Sequence, residues 1–216
     1  TKQGLKRDKK DLLDLIKKGE ISEYFERAKR CMEDWWKAME DKRGIHHNER
    51  DLQHKISRSN SNNTPYIVLD LEWNQPNSPR VMVKSPVSLK GEIIQIGAVK
   101  LDENLEIIDT FKIMVKPKYY RTMHKKVSRL TSITDDDLQY GFPFKQALSY
   151  FNSWCTEDCI FLTWSGDDVR MLRSNLLMHK VKYYSIPKSY DIQKLFSIQI
   201  SKYQRQYSLL QALEIV

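Results

Sequence analysis

The chain has 216 residues and a formal net charge of +8, which allows one well-packed core with a small appendage and favours an anionic partner, above all nucleic acid. Charged residues make up 30% and hydrophobic residues 40% of the sequence, a balance typical of a folded globular protein and not of a disordered or membrane-embedded one. No apolar run is long enough to cross a membrane and the N-terminus lacks the apolar core of a signal peptide, so we expect a cytoplasmic protein with no membrane partner.

Residues 1–55 are predicted to form a lysine-rich helical extension. Apolar side chains recur at helical spacing over residues 8–18 and again from Ile21 to Met39. The second stretch places Phe25, Trp35 and Trp36 on one apolar stripe, which a lone helix cannot leave in water. We expect the stripe to pack on the main domain or on a second copy of the chain, with a different protein as the alternative partner.

A polar segment of low complexity, residues 56–64, is typical of a linker, and the domain that follows spans residues 65–216. It opens with a predicted strand from Tyr66 to Trp73, rich in β-branched and aromatic residues. Because side chains alternate across a strand, Asp70 and Glu72 share one face. A lone acidic pair of this kind is often only the solvated end of a strand, but adjacent carboxylates on an apolar strand are also what a divalent cation such as Mg²⁺ or Mn²⁺ would bind.

Further strands and helices are predicted along the rest of the domain. Glu92 to Leu101 and Ile107 to Val115 read as an antiparallel pair joined by a turn, which together with the first strand makes a three-stranded meander. The remaining predicted elements are a helix after Thr134, an amphipathic helix from Phe144 to Trp154, a buried strand over 159–163, a helix from Asp167, a helix over 190–200 and a last helix from Tyr207. This order indicates an α/β fold, a mixed sheet with three antiparallel strands followed by parallel ones, flanked by helices.

Four short motifs, in this order, carry a resemblance to a known family. They are Asp70-x-Glu72, the run Glu92-Ile93-Ile94-Gln95-Ile96-Gly97-Ala98, the run Leu130-Thr131-Ser132-Ile133-Thr134, and Trp164 to Asp168. The domain resembles the DEDDh 3′-5′ exonucleases of the ribonuclease H-like, or DnaQ-like, superfamily. In the third motif Ser132 stands where that family has glycine, and in the fourth the glycine falls one place late.

The resemblance implies a metal-dependent exonuclease that hydrolyses phosphodiester bonds at the 3′ end of single-stranded DNA or RNA. It implies that Asp70, Glu72 and Asp168 are both catalytic and metal-binding, with Asp167 as the rival of Asp168, and that two Mg²⁺ or Mn²⁺ ions are the cofactors. It also places Trp73 and Asn74 where the family grips the terminal nucleotide, and Trp164 could offer a stacking surface. Core packing is the alternative role for both tryptophans.

One motif of the family is missing. Its members carry a His-x-x-x-x-Asp near the last helix, which supplies the general base and a fourth carboxylate, and no such motif follows Asp168 here. We therefore expect weak or no activity from these residues alone. Two explanations stay open, a C-terminally incomplete nuclease, or a catalytically dead nuclease fold that binds nucleic acid or organises protein partners.

Overall fold

The structure is a computed structural model that describes residues 64–155, 158–202 and 204–215. The predicted helical extension, with Phe25, Trp35 and Trp36, and all of the predicted linker except Thr64 lie outside the described residues. The described chain divides into two compact units, the larger one containing residues 64–103 and 107–191 and the smaller one containing the helical segment from Ile192 onward.

Strands and helices are numbered separately in chain order. The strands are β1 (Tyr66–Asn74), β2 (Glu92–Leu101), β3 (Ile107–Lys116), β4 (Phe142–Pro143), β5 (Ile160–Thr163) and β6 (Lys188–Asp191). The helices are α1 (Lys125–Thr131), α2 (Asp135–Gln139), α3 (Phe144–Trp154), α4 (Asp167–Met178), α5 (Ile192–Ser201) and α6 (Leu209–Ile215), and one turn of 3₁₀ helix covers Pro79–Val81.

The strands of the larger unit form one mixed sheet in the order β4-β3-β2-β1-β5-β6. β1 is antiparallel to β2, and β2 is antiparallel to β3, which confirms the predicted meander. β5 then joins β1 in parallel and β6 joins β5 in parallel. The predicted fold class, a ribonuclease H-like mixed sheet flanked by helices, is confirmed.

The main core lies between one face of this sheet and the helices α3 and α4. β1 contributes Ile67, Leu69 and Leu71 to it, all at most 3% exposed. α3 and α4 contribute residues at steps of three and four, as a helix with one apolar face must: Phe144, Ala147, Leu148, Phe151, Leu172 and Leu176. Because β1 alternates, Asp70 and Glu72 belong to its other face.

A second, smaller cluster involves α1 and α2. Ile94 from β2 packs with Met123, Val127, Ile133 and Leu138. α2 begins with a reciprocal cap, in which the Thr134 hydroxyl accepts from the Asp137 N–H and the Asp137 carboxylate accepts from the Thr134 N–H. This confirms Thr134 as the N-cap that the sequence predicts.

The smaller unit is helical in its described part. Gln193 on α5 donates a hydrogen bond from Nε2 to the carbonyl oxygen of Tyr207, at 2.8 Å. The ring of Tyr207 lies edge-on to that of Phe196, with 5.5 Å between their centroids. These contacts hold α5 against the segment that leads into α6.

Three short elements were missed by the sequence analysis. β6 occupies Lys188–Asp191, so the helix predicted over 190–200 begins two residues later, at Ile192. The two-residue strand β4 and the helix α1 were also not predicted. Within the described part of the chain, no helix combines the length and apolarity that crossing a membrane requires.

Candidate active site

The site begins on β1, the strand around which the sheet is built. Asp70 lies opposite Gly97 of β2, and Glu72 lies opposite Gln95. On the other edge β1 pairs with β5 only from Tyr66 to Val68. The N–H groups of β1 beyond that point need other partners, because buried backbone donors are nearly always satisfied.

Asp168 supplies one of these partners. Its Oδ1 accepts a hydrogen bond from the N–H of Leu71, at 3.0 Å and between residues 97 positions apart. The side chain comes from the first turn of α4 and is buried, with 6% exposed. Asp168 is therefore fixed against the strand that carries Asp70 and Glu72.

Asp167, the neighbouring acid, points to a different environment. It is exposed, and its carboxylate forms an ion pair with Arg170 one turn along α4. The geometry thus separates the two aspartates that the sequence left as rivals, with Asp168 beside β1 and Asp167 on the surface.

The three carboxylates act on one another electrostatically. Burial raises the pKa of Asp70 above its ordinary value. Burial, and then the charges of Asp70 and Asp168, raise the pKa of Glu72 to about 7. For Asp168, burial and the charge of Asp70 outweigh the hydrogen bond from Leu71 and raise the pKa to about 7. The cluster holds more negative charge than its surroundings neutralise.

The donor chemistry of this cluster fits a divalent cation. Carboxylate oxygens are the ligands that Mg²⁺ and Mn²⁺ prefer, and a bound cation would offset the cost of burying these charges. Among the residues that the structure describes, no three His, Cys, Asp or Glu side chains are spaced so that they could hold a metal ion as they stand.

The predicted substrate residue Trp73 lies next to the acidic pair but packs inward. A bulge between Glu72 and Trp73 shifts the register with β2 at this point. Trp73 is half-buried and packs against the main core, and its ring covers Gly91, where an added Cβ would lie 2.4 Å from Trp73 Cδ1. Trp164 is half-buried in the turn that follows β5.

Asn74 is fully buried, with 0% of its surface exposed. Its Nδ2 donates to the carbonyl oxygens of Tyr120 and Thr122, at 2.8 and 2.9 Å, and its Oδ1 accepts from the N–H of His124, at 2.8 Å. The whole amide is therefore used inside the protein. Its observed role is to position the segment 120–124 beside the end of β1, and these hydrogen bonds already engage both ends of the side chain that the sequence predicts to contact substrate.

Glu92 is a structural residue whose role the sequence analysis missed. It is 1% exposed, and its carboxylate accepts hydrogen bonds from three successive N–H groups, those of Lys118, Tyr119 and Tyr120, at 2.7 to 2.8 Å. His179 Nε2 lies 3.3 Å from Glu92 Oε1. The sequence did carry a signal for this role, since Glu92 begins an otherwise apolar strand and a carboxylate that is buried there requires hydrogen-bond donors.

The histidines in the described ranges have structural surroundings. His179 follows the last residue of α4, stacked on Phe144 with 4.5 Å between ring centroids. Asp168 and His179 are eleven residues apart on this helix, which at 1.5 Å per residue puts them about 16 Å apart. His124 caps α1, its Nδ1 accepting from the N–H of Lys126.

Known proteins resemble this chain in sequence. A probable 3′-5′ exonuclease of Bacillus subtilis (strain 168), KapD, is 25% identical over 118 residues, which are 54% of this chain and 55% of that protein. The chain thus spans about half the length of this curated relative.

Solved structures share its fold. The nuclease domain of 3′hExo, a DEDDh family member bound to rAMP, is 23% identical with a TM-score of 0.53, and the match covers 64% of this chain and 72% of that one. Cell-death related nuclease 4 (CRN-4) is 21% identical with a TM-score of 0.54, over 67% of this chain and 50% of that one.

The model of the exonuclease family, RNase_T, matches residues 67–215, a range that contains β1 with Asp70 and Glu72 as well as α4 with Asp168. The chain therefore belongs to the exonuclease family.

Proposed function

We propose that residues 65–216 form a divalent-metal-dependent 3′-5′ exonuclease that hydrolyses phosphodiester bonds at the 3′ end of single-stranded DNA or RNA. Asp70, Glu72 and Asp168 are the proposed catalytic and metal-binding residues. Trp73 and Trp164 are kept as proposed contacts of the terminal nucleotide.

One observation supports this proposal above the others. Asp168 of α4 accepts the N–H of Leu71 on β1, nearly one hundred residues away in sequence, and so lies beside Asp70 and Glu72. Burial, and then the charges of neighbouring acids, raise the pKa of Glu72 and of Asp168 to about 7. Strongly perturbed carboxylates without a neutralising partner are characteristic of functional sites. In a domain of the exonuclease family, a metal-dependent phosphodiesterase centre would explain why carboxylates are buried close together despite the unfavourable free energy.

Each residue has a separate task in the proposed centre. When bound, divalent cations such as Mg²⁺ or Mn²⁺ stabilise negative charge on the attacking and leaving oxygens. Asp70 and Glu72 would hold them from β1. Asp168 would do so from α4, with its Oδ1 oriented by the Leu71 N–H. Among the described residues, His124 and His179 have structural roles, so we expect slow turnover without a dedicated general base.

The test uses matched variants and a strand labelled at its 5′ end. With Mg²⁺ or Mn²⁺ the 216-residue chain should shorten single-stranded RNA or DNA one nucleotide at a time from the 3′ end. Asp70→Asn and Asp168→Asn should lower the rate at least about 100-fold, because each removes a metal ligand. Asp167→Asn is the control, since it removes the same charge one residue away from Asp168.

Two outcomes would contradict the proposal. Shortening that persists in Asp70→Asn would place the activity elsewhere. Metal-dependent binding of the strand without any shortening would instead support a nucleic-acid-binding module on a nuclease fold.

A further inference from the structure

A groove lies on the side of the larger unit where α3 begins and α4 ends. Its first part is a cavity of about 750 Å³ between the end of β3, the start of α3 and the residues after α4. A second cavity of about 400 Å³ runs along α3 and shares Lys145 and Lys180 with the first. We refer to the two cavities together as the basic groove.

The basic groove is lined by positive charge. Six cationic side chains line it: Lys116, Lys118, Arg121, Lys145, Lys180 and Lys182. In residues 64–155, 158–202 and 204–215, none of the six takes part in a salt bridge. The one acid on the lining, Asp135, uses its carboxylate to accept the N–H of Met123 at 2.7 Å. Lys116 and Arg121 donate to the backbone carbonyl oxygens of Gln139 and Lys118, which leaves their positive charge in place. Within the described residues, the net positive charge of the groove is therefore available to an external anion.

An exposed aromatic ring lies at one end of the groove. Tyr183 lines the second cavity and is 98% exposed, beside Lys182 in sequence. Tyr184, which also lines it, packs partly against the main core. Among the described residues, none packs on the Tyr183 ring. An exposed ring among cations is the combination that binds single-stranded nucleic acid through base stacking and phosphate contacts.

The groove is fixed to the strand that carries the carboxylates. Lys118 and Arg121 belong to the segment between β3 and α1, whose backbone N–H groups at 118–120 bind Glu92. The same segment binds the side chain of Asn74 at the end of β1. The groove also reaches His179, about 16 Å along α4 from Asp168. One nucleic-acid strand bound in the groove would have a fixed position relative to β1.

We infer that the basic groove is a second binding site, which holds the phosphate backbone of single-stranded nucleic acid and stacks a base on Tyr183. The concave shape fits a strand and not the flat surface of a vesicle, and the exposed ring favours a nucleic acid over an acidic polypeptide, which has no bases to stack. The site concerns binding, so it does not depend on whether Asp70, Glu72 and Asp168 hydrolyse the strand.

The test measures binding with divalent metal chelated and the 3′ end blocked, so that no hydrolysis contributes. Fluorescence anisotropy of a labelled single strand of about 12 nucleotides, within the usual range for such sites, is recorded over a range of salt concentrations. The triple variant Lys145→Ala/Lys180→Ala/Lys182→Ala should bind at least about 10-fold more weakly, and the slope of log K against log salt should fall by about 2 if three phosphate contacts are lost.

Two further variants make the result specific. Lys84→Ala/Arg129→Ala/Arg173→Ala removes three exposed cations that line neither cavity, and it should keep most of the affinity. Tyr183→Ala should weaken binding about 5-fold or more with an unchanged salt slope, because a stacking contact carries no charge. Circular dichroism and melting temperatures verify that all variants are folded.

Three outcomes would overturn the inference. The first is equal loss in both triple variants, since that would show a general effect of net charge. The second is an unchanged affinity and slope in the groove variant. The third is tighter binding of phosphatidylserine vesicles or polyglutamate than of the oligonucleotide, if Lys145→Ala/Lys180→Ala/Lys182→Ala abolishes that binding but keeps the affinity for the oligonucleotide. The groove would then bind a different anion.

Discussion

At the scale of single residues, burial is the main reason why the carboxylates beside β1 have raised pKa values. Glu72 and Asp168 each reach a pKa of about 7, so both exchange protons near neutral pH. Glu92 is a buried acid of a different kind, because three backbone N–H groups donate to it. The carboxylate of Glu92 accepts three N–H groups, whereas the hydrogen bond that Asp168 accepts from Leu71 does not offset the cost of its burial.

The pH dependence of stability follows from these shifts. Glu72 has a pKa of about 7 in the folded protein, against an ordinary value of 4.5, so the folded state binds the proton more tightly than the unfolded state. Glu72 therefore contributes most to the free energy of unfolding below about pH 4.5. This contribution is lost as the pH rises towards 7, and the total loss is up to about 3 kcal/mol.

Glu72→Gln should therefore stabilise the metal-free protein at pH 8 and flatten the decline in melting temperature between pH 5 and pH 8. Thermal unfolding in the presence of a chelator measures this. Glu103→Gln, at an exposed position, is the control and should leave the profile unchanged. A profile that is the same in Glu72→Gln and wild type would show that Glu72 is not destabilised in the folded state.

Glu92→Gln should have the opposite effect on stability. The substitution removes the charge that accepts three N–H groups and turns an amide donor towards them, so we expect a loss of about 2–3 kcal/mol at neutral pH. Chemical denaturation measures it, again with Glu103→Gln as the control. A loss below about 0.5 kcal/mol would mean that the segment 118–120 does not need the carboxylate.

At the scale of elements, short connections decide how the helices meet the sheet. Gly141, between α2 and β4, has the backbone of β3 so close that an added Cβ would lie 2.7 Å from the nitrogen of Lys116. Gly166, at the N-cap of α4, has more space, since the nearest atom to an added Cβ is Asp191 Oδ2, at 3.8 Å. Both glycines directly precede an element, but only Gly141 is required by the close approach of another backbone.

This contrast gives a paired prediction. Gly141→Ala should destabilise the protein by about 1–3 kcal/mol, because the methyl group would press on a strand backbone that cannot move aside cheaply. Gly166→Ala should cost at most about 1 kcal/mol, because alanine is a poorer N-cap than glycine but its methyl group meets no clash. Urea denaturation of both variants checks this, and equal losses would remove the steric explanation.

At the scale of the whole molecule, a cation at the carboxylates should stabilise the fold. Ligands that bind only the native state stabilise it by about 2.7 kcal/mol at 100 times their dissociation constant. Adding Mn²⁺ or Mg²⁺ should therefore raise the melting temperature of the wild type by several degrees. The shift should be much smaller in Asp70→Asn and unchanged in Asp167→Asn. An equal shift in all three proteins would indicate metal binding elsewhere.

Much of the fold was predictable from the sequence because local patterns specify it. β2, with its run of apolar and β-branched residues, and α3, with apolar residues at steps of three and four, have the bounds that the sequence predicts. The short elements escaped prediction for a physical reason. β6 is polar, with the sequence KSYD, and becomes a strand only because β5 offers it backbone partners.

The sequence by itself determined the meander, the helices of the main core and the identity of the acidic residues, since periodicity and charge are properties of neighbouring residues. Only the tertiary structure decided that Asp168 and not Asp167 reaches β1, that Asn74 is buried beneath the segment 120–124, and that cations from β3, α3 and the end of α4 line one groove. These facts depend on contacts between residues far apart in the chain, which form only when the sheet and its helices assemble.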